Sequence, residues 1–547
     1  MDFFKRSQLA SSLLCLALTT GSAFAQAQLD PPPPPESGAV AIDAGPAREK
    51  TFDILEFAVS GNTTLDTRSI EKAVYPFLGP EKTAGDVEKA RAALETRYRD
   101  AGYGTVVVNI PEQDVVGGLV NLEVIEGTVD RLIVSGADYF SPDLIKAGVP
   151  SLAPGNVPLL PDVQKELVQL NAASSDRRIT PVLRPGRYAG TLEAELKVDD
   201  TAPVHGSLQV NNRNTVDTTP TRVAATLSYN NLWQRQHSAS IGYQAAPENT
   251  DEVEVFFGTY SARLSDSSWL VSGYYVDSNT AVSTVGTLGV LGQGQIAGLR
   301  FIRPLPPLAD GYQRVTLGFD WKNFDESIAL TGNQPSIETP VSYGVVSAAW
   351  GLTIPAEGRT TELSLLGVFG SSLLGNDADE IANKRSGAKP NFATLGLSLS
   401  QERELWSDTR LSISLSGQIA DSPLIPTEQF SFGGATSVRG YYESQQFVDD
   451  GMYSQLELIS PDWGAALSAF SSGRVFAFLD AGIGRVLEPL PEQDDQFFLW
   501  STGIGLRAAL WRSLTADFEW AYPLRDSNDG SVQAGDSRWL FNTTVAF

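Results

Sequence analysis

Residues 410–420 read Arg-Leu-Ser-Ile-Ser-Leu-Ser-Gly-Gln-Ile-Ala. Leu411, Ile413, Leu415 and Ile419 share one parity, while Ser412, Ser414, Ser416 and Gln418 share the other. Period two is the side-chain repeat of a β-strand, and such a segment places one apolar and one small or polar face in different surroundings. Segments of the same texture recur from His205 to Phe547, among them Ser238 to Ala245, Arg314 to Phe324, Thr361 to Phe369 and Ser513 to Tyr522. They number about sixteen, an even count as a bacterial transmembrane barrel requires. Lipid-facing and lumen-facing residues would alternate along each.

The connections carry the same message. Short ones (Leu232 to Gln236, Leu264 to Asp266, Leu405 to Asp408, Trp511-Arg512) alternate with long polar ones (Ser278 to Gly292, Asp325 to Pro340, Ser372 to Lys389, Pro523 to Ser537). Barrels of the outer membrane have short periplasmic turns and longer external loops, and here the phase is kept almost throughout. The longest connection is Asp421 to Gly451. In the terminal segment Arg538 to Phe547, one face carries Trp539, Phe541, Thr543, Val545 and Phe547. An alternating strand ending in an aromatic residue is an outer-membrane insertion signal. Left unpaired it would aggregate, so closure against the first strand is expected.

Working back to the start, Lys5 and Arg6 precede an apolar stretch from Leu9 to Leu18, and Ala23-Phe24-Ala25 offers a cleavage site. Residues 1–25 are read as a secretory signal peptide. Residues 26–50, with Pro31 to Pro35, are read as an extended, proline-rich linker. From Thr51 to about Asp200 the texture is mixed and runs through β-α-α-β-β twice. The first pass has strands at Phe52 to Val59, Val106 to Ile110 and Leu119 to Ile125, with helices at Leu65 to Leu78 and Ala84 to Ala101. The second has strands at Val129 to Val134, Ile179 to Leu183 and Thr191 to Val198, with helices at Ser141 to Ala147 and Asp162 to Ala172. The domains expected are thus 51–127, 128–200 and a barrel over 205–547. The fold class is α+β modules followed by a transmembrane antiparallel barrel.

Composition removes other classes of function. The only cysteine, Cys15, lies in the signal segment, so the mature chain has no thiol for disulfides, nucleophilic catalysis or metal binding. A formal charge of −25 opposes contact with phosphate backbones, so no nucleic-acid partner is expected. Only His205 and His237 are available for acid–base work, and no nucleophile motif surrounds either. There is no Gly-Lys-Ser/Thr phosphate loop. No catalytic residue, cofactor or metal is expected. After the signal no run of about 18 apolar residues occurs, so a membrane could be crossed only as a closed barrel.

Three motifs now stand out. Gly433-Gly434-Ala435-Thr436-Ser437-Val438-Arg439-Gly440-Tyr441 lies in the longest connection, and Phe478-Leu479-Asp480-Ala481-Gly482 lies in a later strand. Ile179 to Gly186, followed by Gly190, lies in the second mixed module. With these motifs, residues 51–547 resemble the outer-membrane transporters of two-partner secretion, the TpsB proteins of the ShlB/FhaC/HecB haemolysin secretion and activation type. The resemblance implies that the mixed modules are periplasmic POTRA domains in a Gram-negative cell. It also implies that the loop 421–451 folds into the lumen and sets Arg439, with Gly434, Val438, Gly440 and Tyr441, against Asp480, Phe478 and Gly482 on the barrel wall. It implies a secreted TpsA-type exoprotein as partner, haemolysin-, haemagglutinin- or adhesin-like, with outer-membrane lipids around the barrel. Trp539, Phe541 and Phe547 would be read by the barrel-assembly machinery. Some members carry an N-terminal plug helix, whereas residues 26–50 read as extended, leaving only Ala39 to Ala47 as a lumen-filling stretch. A rival within the same superfamily is an assembly factor that inserts other barrels. A passive porin would leave two periplasmic modules without purpose.

Overall fold

The computed structural model describes residues 50–547, except 217, 265–267, 281, 286–287, 292, 326, 329–336, 465–468, 492 and 512. The expected signal peptide, all but the last residue of the proline-rich linker, and the stretch Ala39 to Ala47 lie outside the described residues. The chain divides into two compact units, one ending at Ala202 and the other running from Pro203 to Phe547.

The first unit holds two strand-helix modules. In the first, β1 (Phe52–Ile54), β2 (Glu56–Ser60), α1 (Thr67–Val74), β3 (Gly79–Lys82), α2 (Ala84–Asp100), β4 (Val107–Asn109) and β5 (Leu119–Ile125) follow in order. The second has β6 (Thr128–Ser135), α3 (Pro142–Ala147), α4 (Leu160–Ala172), β7 (Arg177–Pro185) and β8 (Thr191–Asp200). Each forms a three-stranded sheet, ordered β2-β5-β4 and β6-β8-β7, whose first strand runs parallel to the central one. Alternation explains the cores: Val120, Leu122 and Val124 of β5 are buried, and Leu119 and Glu123 are not. The modules repeat down to one glycine. Gly61 (φ +81°) and Gly136 (φ +77°) each end the first sheet strand so close to the central strand that a β-carbon would meet the carbonyl oxygen of Val124 at 2.2 Å or of Val198 at 2.4 Å. Only glycine satisfies both the left-handed turn and that approach.

Two sequence expectations are corrected here. The single strand Phe52 to Val59 is broken at Leu55, because Leu55 and Glu56 N–H both donate to the Gly118 carbonyl, at 2.8 and 3.2 Å. The chain thereby leaves its pairing with β3, a strand the sequence reading did not foresee, and joins β5. The helix expected over Leu65 to Leu78 is shorter. Asp66 caps it by accepting from Ser69 N–H at 2.6 Å, and it ends at Val74, beyond which Pro76 brings no N–H and the chain tightens into a 3₁₀ turn.

The second unit is a closed barrel of sixteen antiparallel strands, from Val204–Asn211 to Arg538–Ala546. The last strand pairs with the first from Asn542↔Asn211 to Ala546↔Ser207, and Phe547 exchanges backbone hydrogen bonds with Gly206. The strand Phe470–Arg485 displays the expected alternation: Phe476, Phe478 and Asp480 are buried inside, while Val475, Leu479 and Ile483 are exposed outside. Leu317, Leu365, Leu397, Ile413 and Ile504 on other strands are likewise exposed. So continuous an apolar belt suits hydrocarbon and not water. Trp233, Trp406 and Trp511 stand exposed at three short turns, where a headgroup-level aromatic girdle belongs. No described helix is long and apolar enough to cross a membrane. The polar connection Ser372 to Lys389 contains an unforeseen helix, α5 (Ala378–Lys384). The longest connection is two residues shorter than read, because its closing strand begins at Asp450.

Candidate functional site

The long connection after Ala420 turns into the barrel and doubles back through a short hairpin, Phe430–Phe432 with Gln446–Val448. Between the hairpin arms lies the tip, Gly433 to Tyr441. Gly433, Gly434 and Gly440 all have positive φ (113°, 98° and 93°), a backbone that residues with a β-carbon rarely adopt. Ser437 holds the tip by accepting from Gly433 N–H at 2.8 Å, and Gly434 N–H donates to the Val438 carbonyl at 3.0 Å. These turns carry Arg439 to the wall.

Arg439 is 1 % exposed and Asp480 fully buried. The guanidinium grips the carboxylate through two parallel bonds, Nε to Oδ2 at 2.6 Å and Nη2 to Oδ1 at 2.8 Å, and Arg439 backbone N–H adds a third at 3.1 Å. That two-pronged geometry is particular to arginine; lysine, a point charge, cannot reproduce it. Below the guanidinium plane, the Phe478 ring centre lies 3.6 Å away. The motif therefore works as a unit, with Phe478 as floor and Asp480 as clasp. Gly482 supplies clearance, since a β-carbon there would come within 2.6 Å of the Phe432 ring and 3.0 Å of Val438. Val438 and Tyr441 are fully buried, and Tyr441 directs its hydroxyl to the Arg525 carbonyl at 2.7 Å and the Trp500 carbonyl at 3.1 Å. Gly434 lies beside Glu443, whose carboxylate accepts from Ala435 N–H at 2.9 Å.

Three further groups belong to this site and were missed in the sequence. Glu457 accepts from Arg439 Nη1 at 2.7 Å and is held from behind by both Nη atoms of Arg507 at 2.8 Å. Glu519 approaches Arg439 at 3.6 Å, and its Oε2 is buried without a hydrogen-bond partner among the described residues. Two cations thus face three carboxylates. The signal was available: Glu457, Arg507 and Glu519 are charged residues at lumen parity on three strands flanking or near Asp480. Arg507 in turn lies 4.0 Å over the Phe476 ring, and Gly505 and Gly503 give Phe476 and Phe478 their space.

The terminal residues lie elsewhere. Trp539 and Phe547 face outward, 70 % and 76 % exposed, with Phe541 partly buried on the same parity. The Phe547 ring covers Gly206 on the first strand. His237 shares a 2.7 Å hydrogen bond with the Tyr260 hydroxyl, a wall contact remote from the loop motif.

Comparison with known proteins decides the family. The model for the haemolysin secretion/activation protein ShlB/FhaC/HecB matches residues 190–508, more than half of the chain, and that for the ShlB-type POTRA domain matches residues 52–127. The chain belongs to the haemolysin secretion/activation family. Among curated relatives, the outer membrane transporter CdiB of Escherichia coli is 25 % identical over 496 residues, covering 86 % of this chain and 79 % of its own. The heme/hemopexin transporter protein HuxB of Haemophilus influenzae (strain 86-028NP) is 22 % identical over 446 residues, covering 78 % and 74 %. The solved structure of CdiB from Escherichia coli superposes with a TM-score of 0.58 over 93 % of both chains at 20 % identity, a likeness of fold. Members of the haemolysin secretion/activation family are two-partner secretion transporters of the outer membrane. The sixteen-stranded barrel accordingly lies in the outer membrane and the POTRA modules in the periplasm. The family is a secretion channel that carries TpsA-type exoproteins.

Proposed function

We propose that this chain exports a secreted TpsA-type exoprotein as an extended polypeptide, and that the contact of Arg439 with Asp480 sets the loop in the position transport needs. The observation that supports this most is the buried, two-pronged clasp inside a closed barrel. A porin needs a clear lumen, whereas here a long loop enters it and its tip is fastened to the wall by the Arg439–Asp480 clasp. Removing Arg439 strands the Asp480 charge in a buried site, so the pair defines one loop position sharply. Gly434, Val438, Gly440 and Tyr441 shape the tip, and Phe478 and Gly482 shape its seat. The domain limits proposed are 51–127 and 128–200 for the POTRA modules and 205–547 for the barrel. The modules recruit the partner, because small sheets with free edge strands accept an added strand through backbone hydrogen bonds. The barrel is solvated by outer-membrane lipids and inserted by the barrel-assembly machinery, which reads Trp539, Phe541 and Phe547. No catalytic chemistry is invoked.

The test is deletion of the gene, followed by comparison of the proteins outside the cell and in the outer membrane. Loss of one large extracellular polypeptide, restored by complementation, is expected. Unchanged extracellular proteins with a depleted set of outer-membrane barrels would instead make the chain an assembly factor.

A further inference from the structure

The loop that carries Arg439 is fastened a second time, at its outer root, by residues outside the family motifs. Arg385 directly follows α5 in the external connection 371–391. Its Nη1 and Nη2 grip Asp449 Oδ1 and Oδ2 at 2.6 and 2.7 Å, and the same nitrogens reach the carbonyls of Leu424 at 2.5 Å and Leu487 at 2.8 Å. Asp449 is fully buried and also accepts from the N–H groups of Leu424 and Leu487, at 3.0 and 2.7 Å. One guanidinium therefore ties together three external segments: the connection bearing α5, both roots of the long loop, and the connection after Arg485.

Beneath this clamp lies an apolar plug. Ile381 of α5 and Leu424 and Ile425 of the loop root are buried in one cluster with Phe257, Phe324 and Tyr343 from the lumen face of the wall. The segment bearing α5 is pinned over that cluster by polar contacts of its own. Asn376 accepts from Gly344 N–H at 2.8 Å, and Glu380 accepts from Ser342 N–H at 3.0 Å. A further wall contact, Lys322 with Glu428 at 2.5 Å, holds the loop root to the same stretch of wall, where Lys322 pairs with Tyr343. A polypeptide leaving through the external mouth has to part these surfaces. The apolar plug resists parting without preferring one loop position. The two-pronged pair supplies the preference, because it is satisfied in a single register.

We propose that Arg385 is a positioning residue of the export gate: its clamp on Asp449 holds the external mouth shut at rest, and the clamp opens for each passenger. This rests on the export reading above, but the resting part can be tested without any partner. Purified full-length protein is placed in planar lipid bilayers and its currents recorded. Arg385→Ala is expected to raise the open-time fraction at least tenfold over the native protein, and Arg385→Lys, which keeps the charge but not the fork, to fall between. Unaltered heat-modifiable migration on gels verifies the closed barrel. Currents indistinguishable from native in both variants would overturn the resting clamp.

The opening step is read in cells with Arg385→Cys and Asp449→Cys combined in one chain, whose only native cysteine lies in the signal segment. Joining the two thiols with a short bifunctional reagent is expected to cut export at least tenfold, with singly substituted controls unaffected by the reagent. Undiminished export through the joined protein would overturn the gate while leaving the export function in place. Failure of the native protein to secrete any partner would instead strike the export reading and leave the bilayer currents as they are.

Discussion

The periplasmic modules bury mostly hydrocarbon, whereas the barrel lumen buries charge pairs beside its apolar clusters. In the first module, Ile54, Leu94, Tyr98 and Leu122 are fully buried, and charged groups such as Lys89, Glu88 and Arg99 stay at the surface in short helical pairs. In the lumen, Arg439, Asp480 and Glu457 are buried together, and the lipid-facing belt is apolar. The modules are therefore held by removal of hydrocarbon from water, which has no direction. The lumen adds to its apolar clusters a set of charge pairs, which have direction and contribute little net stability once desolvation is counted. Such an arrangement selects one position of a loop. Substitutions in the two regions should then separate stability from export.

The largest effect is expected from Arg439→Ala. It leaves Asp480, Glu457 and Glu519 facing Arg507 alone, a loss of about 3–5 kcal/mol for a broken buried pair, or roughly two to four orders of magnitude in the docked population of the loop. Export should fall to a trace while heat-modifiable migration and the protease resistance of the modules match the native protein. Export at the native level would remove the loop contact from the mechanism.

Leu122→Ala sharpens the contrast from the other side. Leu122 is fully buried at the centre of β5, and truncation at such a site costs about 2–5 kcal/mol. Proteolysis pulses along a urea series on the full-length protein should show the modules lost at a distinctly lower urea concentration, with barrel closure unaltered. Export should decline only in proportion to unfolded modules. A native urea midpoint would mean that the sheet core does not carry the module.

The same contrast governs what could be read in advance. Strand alternation in the barrel was legible because every strand divides lipid from lumen, so Leu411, Ile413 and Leu415 had to share a parity. The loop tip was legible because glycines with positive φ leave a local mark, as at Gly433, Gly434 and Gly440. Arg385 and Asp449 left none, being 64 positions apart in two connections whose composition says only that they are polar. The break at Leu55 was equally hidden: Phe52 to Val59 has uninterrupted strand character, and the exchange of partners depends on the distant carbonyl of Gly118.

A gentler break is Gly482→Ala. The added methyl meets Phe432 at 2.6 Å, so the loop or the wall must shift, at a cost of about 1–3 kcal/mol typical of overpacking. With the Arg439 clasp still available, export should fall partway between native and Arg439→Ala, and a protease site placed in the loop hairpin should become more accessible. Full export with unaltered accessibility would show that the seat under Phe432 tolerates displacement.

The smallest effect concerns the modules and acid. At the start of α2, Asp86 reaches back to accept from Thr83 N–H at 3.0 Å and from its hydroxyl at 3.1 Å. The backbone bond is the largest cause, with Lys89 and the Thr83 hydroxyl assisting, of an Asp86 pKa lowered to about 2. A carboxylate whose pKa is depressed by folding stabilises the fold above its unfolded value of 3.8, and that contribution disappears as pH falls through the folded value. Glu126 follows the same sign: burial opposes its ionisation, yet hydrogen bonds from Thr63 and Thr64 together hold its carboxyl below the ordinary range. Asp86→Ala should lower the urea midpoint of the modules at pH 7, and the gap from native should narrow between pH 4 and pH 2 as the native Asp86 protonates. A gap that stays constant down to pH 2 would mean that Asp86 acts on the helix by something other than its charge.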